Sequence, residues 1–138
     1  MPNTVWTVLL IGIAGAAGAL ARYGISLGIA RLFSFTTLPI GTFLINITGA
    51  FLLGYLATLV RQRMVLSDMW LLVLGTGFLG AYTTFSTYML ESDLMLRNGE
   101  WLRASAYLAG SLFLGLVAVR LGFLAAGGAT IVQAATQQ

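Results

Sequence analysis

Four apolar stretches, each long enough to cross a lipid bilayer, constrain this 138-residue chain more than any other feature. A hydrocarbon core of about 30 Å takes about 20 helical residues, and the stretches occupy about 5–30, 38–60, 69–96 and 101–126. With 59% hydrophobic residues, 8% charged residues and a mean hydropathy of +0.93, the chain carries more apolar side chain than a soluble domain of this size can hide. In hydrocarbon every backbone N–H and C=O must be satisfied within the protein, which leaves helices as the economical way to span. The expected fold is therefore an all-α membrane protein: one four-helix transmembrane domain over 1–127, then a short flexible tail over 128–138. The N-terminal MPNTVW lacks a basic segment, so the first run reads as a retained span and not as a cleaved signal.

The ends of the runs carry their own signals. Arg22 and Arg31 mark the approach of the first span to one interface. Thr36, Thr37 and Pro39 form a start signal for the second, which Arg61 and Arg63 close. Ser67 and Asp68 are placed to cap the third, and Asn98-Gly99 supplies the turn that ends it. Arg103 and Arg120 bracket a short uncharged stretch in the fourth span and must snorkel. Small residues at four-residue spacing (Ala14/Gly18, Gly24/Gly28, Ala50/Gly54, Ala118/Gly122) are expected at close helix–helix contacts.

Chemistry is narrowed by what is missing. The chain has no Cys, no His and no Lys, and its acids are Asp68, Glu91, Asp93 and Glu100. Thiol and His nucleophiles, Schiff bases and His-rich metal centres are excluded, so an enzyme is not expected. The net charge of +3 comes from seven arginines scattered at span ends, which argues for membrane anchoring and against a nucleic-acid surface.

Within the third span, Gly75 to Ser86 (GTGFLGAYTTFS) interrupts an otherwise continuous apolar helix with three glycines and a cluster of hydroxyl residues. Irregular backbone at membrane depth is tolerated only where protein buries it or where it lines a wet or ion-filled cavity. Asn46, in the second span, faces two equally weighted readings: an interhelical hydrogen bond or a position on an aqueous pathway. For Thr83, Thr84, Ser86 and Thr87 the plain reading is back-bonding to a carbonyl one turn earlier. Phe85 and Tyr88 share a helix face, and so do Tyr107 and Ser111 on the fourth span. Asn46, these hydroxyls and the positive edges of the rings form a donor-rich set, and the core of the third span carries no cation or carboxylate. That inventory suits a small hydrated anion better than a metal cation or a proton relay.

Arginines are nearly balanced between the two sides: Arg61, Arg63 and Arg120 against Arg31, Arg97 and Arg103, with Arg22 near the latter group. A balanced count gives the positive-inside rule little to act on, and two oppositely inserted copies would generate the pseudo-two-fold arrangement that transporters obtain from inverted repeats.

GAAGALARYGIS (15–26), LPIGTFLINITGAFLLG (38–54) and GTGFLGAYTTFSTYMLE (75–91) resemble the Fluc (CrcB) family of fluoride channels. The resemblance implies a dual-topology antiparallel homodimer in the bacterial inner membrane, with two fluoride pores and passive, fluoride-selective export from the cytoplasm. It implies a central structural Na⁺ held by backbone carbonyls of Gly80 and Thr83 from both subunits. It puts Asn46, Phe85, Tyr88, Thr84, Ser86, Thr87, Tyr107 and Ser111 on the fluoride pathway, and Arg22 and Thr42 in a vestibule. Glu91 matches a family acid to which no role is assigned. Tyr88 departs from a family phenylalanine, and Gly115 stands at a family serine position. Two other classes fit some of the same features. A small dual-topology multidrug/proton exchanger shares size and charge balance but needs an embedded carboxylate, for which Glu91 is the sole candidate. A membrane scaffold would explain the glycines but would leave Asn46 and the hydroxyl cluster without a task.

Overall fold

The computed structural model describes residues 4–128, and among these it contains helices and no strand. The expected tail falls almost wholly on residues 129–138, outside the described ones. Helix α1 covers Thr4–Leu32 and α2 Ile40–Arg61. The third span begins with α3 (Asp68–Trp70), continues as a π-helical segment (Leu71–Leu79) and a single turn α4 (Gly80–Tyr82), then restarts as α5 (Phe85–Arg97). Helix α6 covers Trp101–Ala125. Four spans are thus long and apolar enough to cross a membrane: Thr4–Leu32, Ile40–Arg61, Asp68–Arg97 and Trp101–Ala125.

Local chemistry explains most of the boundaries. Pro39 sits at the N-cap of α2, one residue earlier than a first-turn proline, and Thr36 Oγ1 accepts the Leu38 N–H at 3.1 Å in the connection before it. Ser67 holds the N-cap position of α3, but its side chain makes no capping bond. Gly99 follows the end of α5 with φ of +78°, the left-handed conformation that glycine adopts at no steric cost.

The most extensive helix pairing joins α2 to α6, followed by α1 against the π-helical segment and α4. Backbones touch at both places. A side chain at Gly122 would strike the Phe51 carbonyl, one at Gly54 the Val119 carbonyl, and one at Gly18 the Phe78 carbonyl. Gly24 and Gly28 behave differently from that pattern: nothing lies within 4 Å of a Cβ at either position. A small core of Ile45, Leu56, Val60, Leu79 and Tyr82 closes the space between α2 and the first half of the third span. Position 45 is 1% exposed and its neighbour Asn46 lies at the edge of that core, beside the interruption.

Candidate functional site: the interrupted third span

The interruption falls on two threonines. Thr83 (φ −79°, ψ 160°) and Thr84 (φ −148°, ψ 113°) are extended between helical turns. The three glycines that precede them stay helical, and two of them serve close packing. Gly77 approaches the Ile11 carbonyl of α1, and Gly75 packs against Leu71 and Leu53. Gly77 brings two backbones together, and the threonines make the break.

Asn46 repairs that break from across the helix interface. Its Nδ2 donates to the Thr84 carbonyl at 3.0 Å, and its Oδ1 accepts the Thr84 N–H at 2.8 Å. An extended residue turns its N–H and C=O toward the same side, as in a hydrogen-bonded antiparallel pair. One primary amide can therefore satisfy both, and Asn46 makes the interhelical bond that was one of its two readings. A primary amide has two N–H donors, so one remains after the contact with Thr84.

The threonine cluster divides its tasks. Thr83 Oγ1 donates back to the Leu79 carbonyl at 2.9 Å, the habit expected of membrane threonines. Thr84 caps α5: its Oγ1 accepts the Thr87 N–H at 3.3 Å and donates to Thr87 Oγ1 at 2.9 Å. In an unbroken helix the Thr84 N–H would bond the Gly80 carbonyl and the Thr87 N–H the Thr83 carbonyl. Both donors are diverted to side chains, so the carbonyls of Gly80 and Thr83 lose their ladder partners.

A groove of about 410 Å³ opens beside the break, lined among others by Asn46, Gly80, Thr83, Thr84, Phe85, Tyr88 and Ser111. Phe85 stands at its edge, 74% exposed, with its ring 6.2 Å from that of Tyr88. Tyr88 meets Tyr107 edge to face at 5.1 Å and donates its hydroxyl to the Leu108 carbonyl at 2.8 Å. Ser111 Oγ is buried beside the Tyr88 hydroxyl. Ser86 is exposed on the first turn of α5.

A second cleft of about 440 Å³ lies between the end of α1, the start of α2 and the first half of α5, where Ser26, Thr42, Thr87 and Glu91 contribute polar groups. Here the Glu91 carboxylate accepts from two hydroxyls: Thr42 Oγ1 to Oε1 at 2.7 Å and the Tyr107 hydroxyl to Oε2 at 2.9 Å. A hydroxyl has one proton to donate, so Thr42 and Tyr107 spend theirs on Glu91. Arg22 lies on α1 one turn before Ser26. The ion pairs among the described residues are Arg97–Asp93 and Arg103–Glu100, and neither includes it. Thr87 belongs to this second cleft and, through Thr84, is tied to the break. The pairing of Thr48 with the Tyr82 hydroxyl at 2.9 Å carried no sequence signal, since the two residues lie 34 apart on different spans.

Among the described residues no group of three or more His, Cys, Asp or Glu side chains could hold a metal. The orphaned carbonyls of Gly80 and Thr83 are hard oxygen donors of the kind an alkali cation accepts.

Comparisons with known proteins follow the same residues. Positions 9–123 match the family model described as CrcB-like protein, Camphor Resistance (CrcB). A Chloroflexus aurantiacus protein named Fluoride-specific ion channel FluC is 46% identical over 115 residues, covering 83% of this chain and 90% of the relative. The Chlorobaculum tepidum protein of the same name is 45% identical over 119 residues, covering 86% and 93%. Fluoride-specific ion channel FluC 2 of Moorella thermoacetica is 46% identical over 119 residues, covering 86% and 95%. Four bilayer-length spans with an interrupted third, matched along almost their whole extent, place this chain in the CrcB family of multi-pass membrane proteins.

Proposed function

We propose that the protein is a passive fluoride channel, working as an antiparallel homodimer with two pores. The observation that carries this reading is the groove beside the break, where Asn46, the Ser111 hydroxyl and the Phe85 and Tyr88 rings are gathered with no charged side chain among the lining residues. Polar donors and positive ring edges gathered without a cation or carboxylate favour a small anion, and fluoride is a compact, strong acceptor. The relatives' names point to the same ion.

In this reading the spare Asn46 N–H, the Ser111 hydroxyl and the positive ring edges of Phe85 and Tyr88 replace part of the ion's hydration shell. Ser86 and Thr87 extend the path along α5. Thr42 and Tyr107 can serve the ion only by leaving Glu91, so the carboxylate competes with fluoride for the same protons. Arg22 contributes positive charge near the vestibule cleft. Gly80 and Thr83 carbonyls from two copies would hold a structural Na⁺, whose charge lowers the cost of bringing an anion nearby. The proton-coupled exchanger is disfavoured by the setting of Glu91, whose two oxygens are each engaged by a hydroxyl.

Liposomes loaded with fluoride test the function directly. Protein-dependent fluoride efflux with chloride retained is expected, and Phe85→Ile should abolish it while leaving the purified dimer intact. Equal fluoride and chloride efflux, or no efflux from a folded dimer, would overturn the reading.

A further inference from the structure

We propose that Asn46 is a positioning residue: its side-chain amide stands in for the helical partners that Thr84 has lost, and so holds open the break that frees the Gly80 carbonyl. The inference rests on the channel reading above but assigns Asn46 a role other than contact with the permeating ion.

The geometry is reciprocal. Nδ2 to the Thr84 carbonyl (3.0 Å) and the Thr84 N–H to Oδ1 (2.8 Å) close one ring between a side chain of α2 and one peptide residue of the third span. Thr84 is buried, so neither of its backbone groups can turn to water or lipid for relief. Without the amide, the cheapest repair is for Thr84 to return to helical dihedrals and give its N–H to the Gly80 carbonyl. That repair would rebuild the ladder through 80–87, withdraw the carbonyl from any cation, and rotate Phe85 away from the groove edge. Other contacts accommodate the break, but none of them partners the Thr84 N–H and carbonyl. Gly49, one turn after Asn46 on α2, admits the Thr83 methyl where any side chain would collide with it. Thr84 Oγ1 secures only the turn that follows, through Thr87.

Substituents at position 46 separate positioning from ion contact. Asn46→Ala removes both bonds, whereas Asn46→Asp keeps an acceptor for the Thr84 N–H and sets an oxygen against the Thr84 carbonyl. Two readouts on the purified dimer avoid reliance on flux: hydrogen exchange of the Thr84 amide, and the rise in melting temperature on replacing N-methylglucamine with sodium. In the wild type the Thr84 amide should exchange slowly and sodium should raise the melting temperature. Asn46→Ala should speed Thr84 exchange by about tenfold or more and abolish the sodium increment. Thr84→Val, which removes the cap and keeps the amide bridge, should speed exchange at Thr87 and leave Thr84 protected. If Asn46→Ala does not fold, Asn46→Asp decides the matter: a lost sodium increment supports the inference. An Asn46 variant that loses flux yet keeps both Thr84 protection and the sodium increment would overturn it, leaving Asn46 as an ion contact alone. No sodium effect in the wild type would sink the cation site, while Thr84 exchange would still judge the bridge.

Discussion

Tyr88 and Tyr107 stack edge to face, yet their hydroxyls answer to different partners, and the difference sets what each is worth. The Tyr88 hydroxyl bonds the Leu108 carbonyl, an oxygen inside α6 that also serves that helix's own ladder. Deleting it leaves the Leu108 carbonyl its helical donor and takes from Ser111 only a neutral neighbour, so Tyr88→Phe should cost about 0.5–1.5 kcal/mol. The Tyr107 hydroxyl bonds a partly buried carboxylate that has one other donor, Thr42. Hydrogen bonds to charged groups are worth about 1.5–3 kcal/mol, so Tyr107→Phe and Thr42→Val should each destabilise by that amount. The two losses should also couple, because both donors serve Glu91. Unfolding in detergent mixtures, run as a double-mutant cycle, checks the order. Equal losses at Tyr88 and Tyr107 would mean that Glu91 draws little from the hydroxyl.

At the scale of elements, the glycines separate into those that touch backbone and those that touch nothing. Gly122 lies against the Phe51 carbonyl, and α2 and α6 would have to part to admit a methyl group. Overpacking of this kind costs about 1–3 kcal/mol, so Gly122→Ala should lower the stability of the protomer by that amount. Gly24→Ala meets open space within one protomer and should be neutral there, or stabilising by up to about 1 kcal/mol through helix propensity. Both can be read as shifts in detergent unfolding under conditions that keep the chain monomeric. The four-residue spacing is identical at Ala118/Gly122 and Gly24/Gly28, which is why sequence could not tell them apart: spacing reports a face, not what lies against it. Span ends were legible to within about two residues because Pro39, Asn98-Gly99 and the arginines change the local chemistry abruptly. The site of the break was legible only as a region, since glycines advertise flexibility that close packing also demands. The π-helical turns of Leu71–Leu79 left no trace in residue type. The bridge from Asn46 to Thr84 joins residues 38 apart, so its donors were visible and their partner was not.

For the whole molecule, the distribution of arginines bears on the proposed pairing of two copies. Arg97 and Arg103 carry carboxylate partners at one end, at 2.7 Å and 2.6 Å. Arg61, Arg63 and Arg120, at the other end, form no ion pair among the described residues, and Arg120 lies over the Phe123 ring at 5.4 Å. The positive-inside bias follows Lys and Arg and gives acids little weight, so the pairing at one end does not tip the balance: three arginines still face three, with Arg22 near Arg31, Arg97 and Arg103. The groove at the break is also open in a single protomer, where the Gly80 and Thr83 carbonyls have lost their ladder donors. Two copies inserted with opposite polarity would bring both features together at one level of the membrane, whereas parallel copies would also be free to pair but would leave the arginine balance without consequence. Because the chain has no cysteine, a single exposed reporter decides between these arrangements. Gln62→Cys, at the end of α2, changes no charge and should react with an impermeant maleimide from outside intact cells to about half its total, the rest becoming available only after permeabilisation. Labelling that is complete, or absent, before permeabilisation would establish a single orientation and remove the antiparallel dimer from the mechanism.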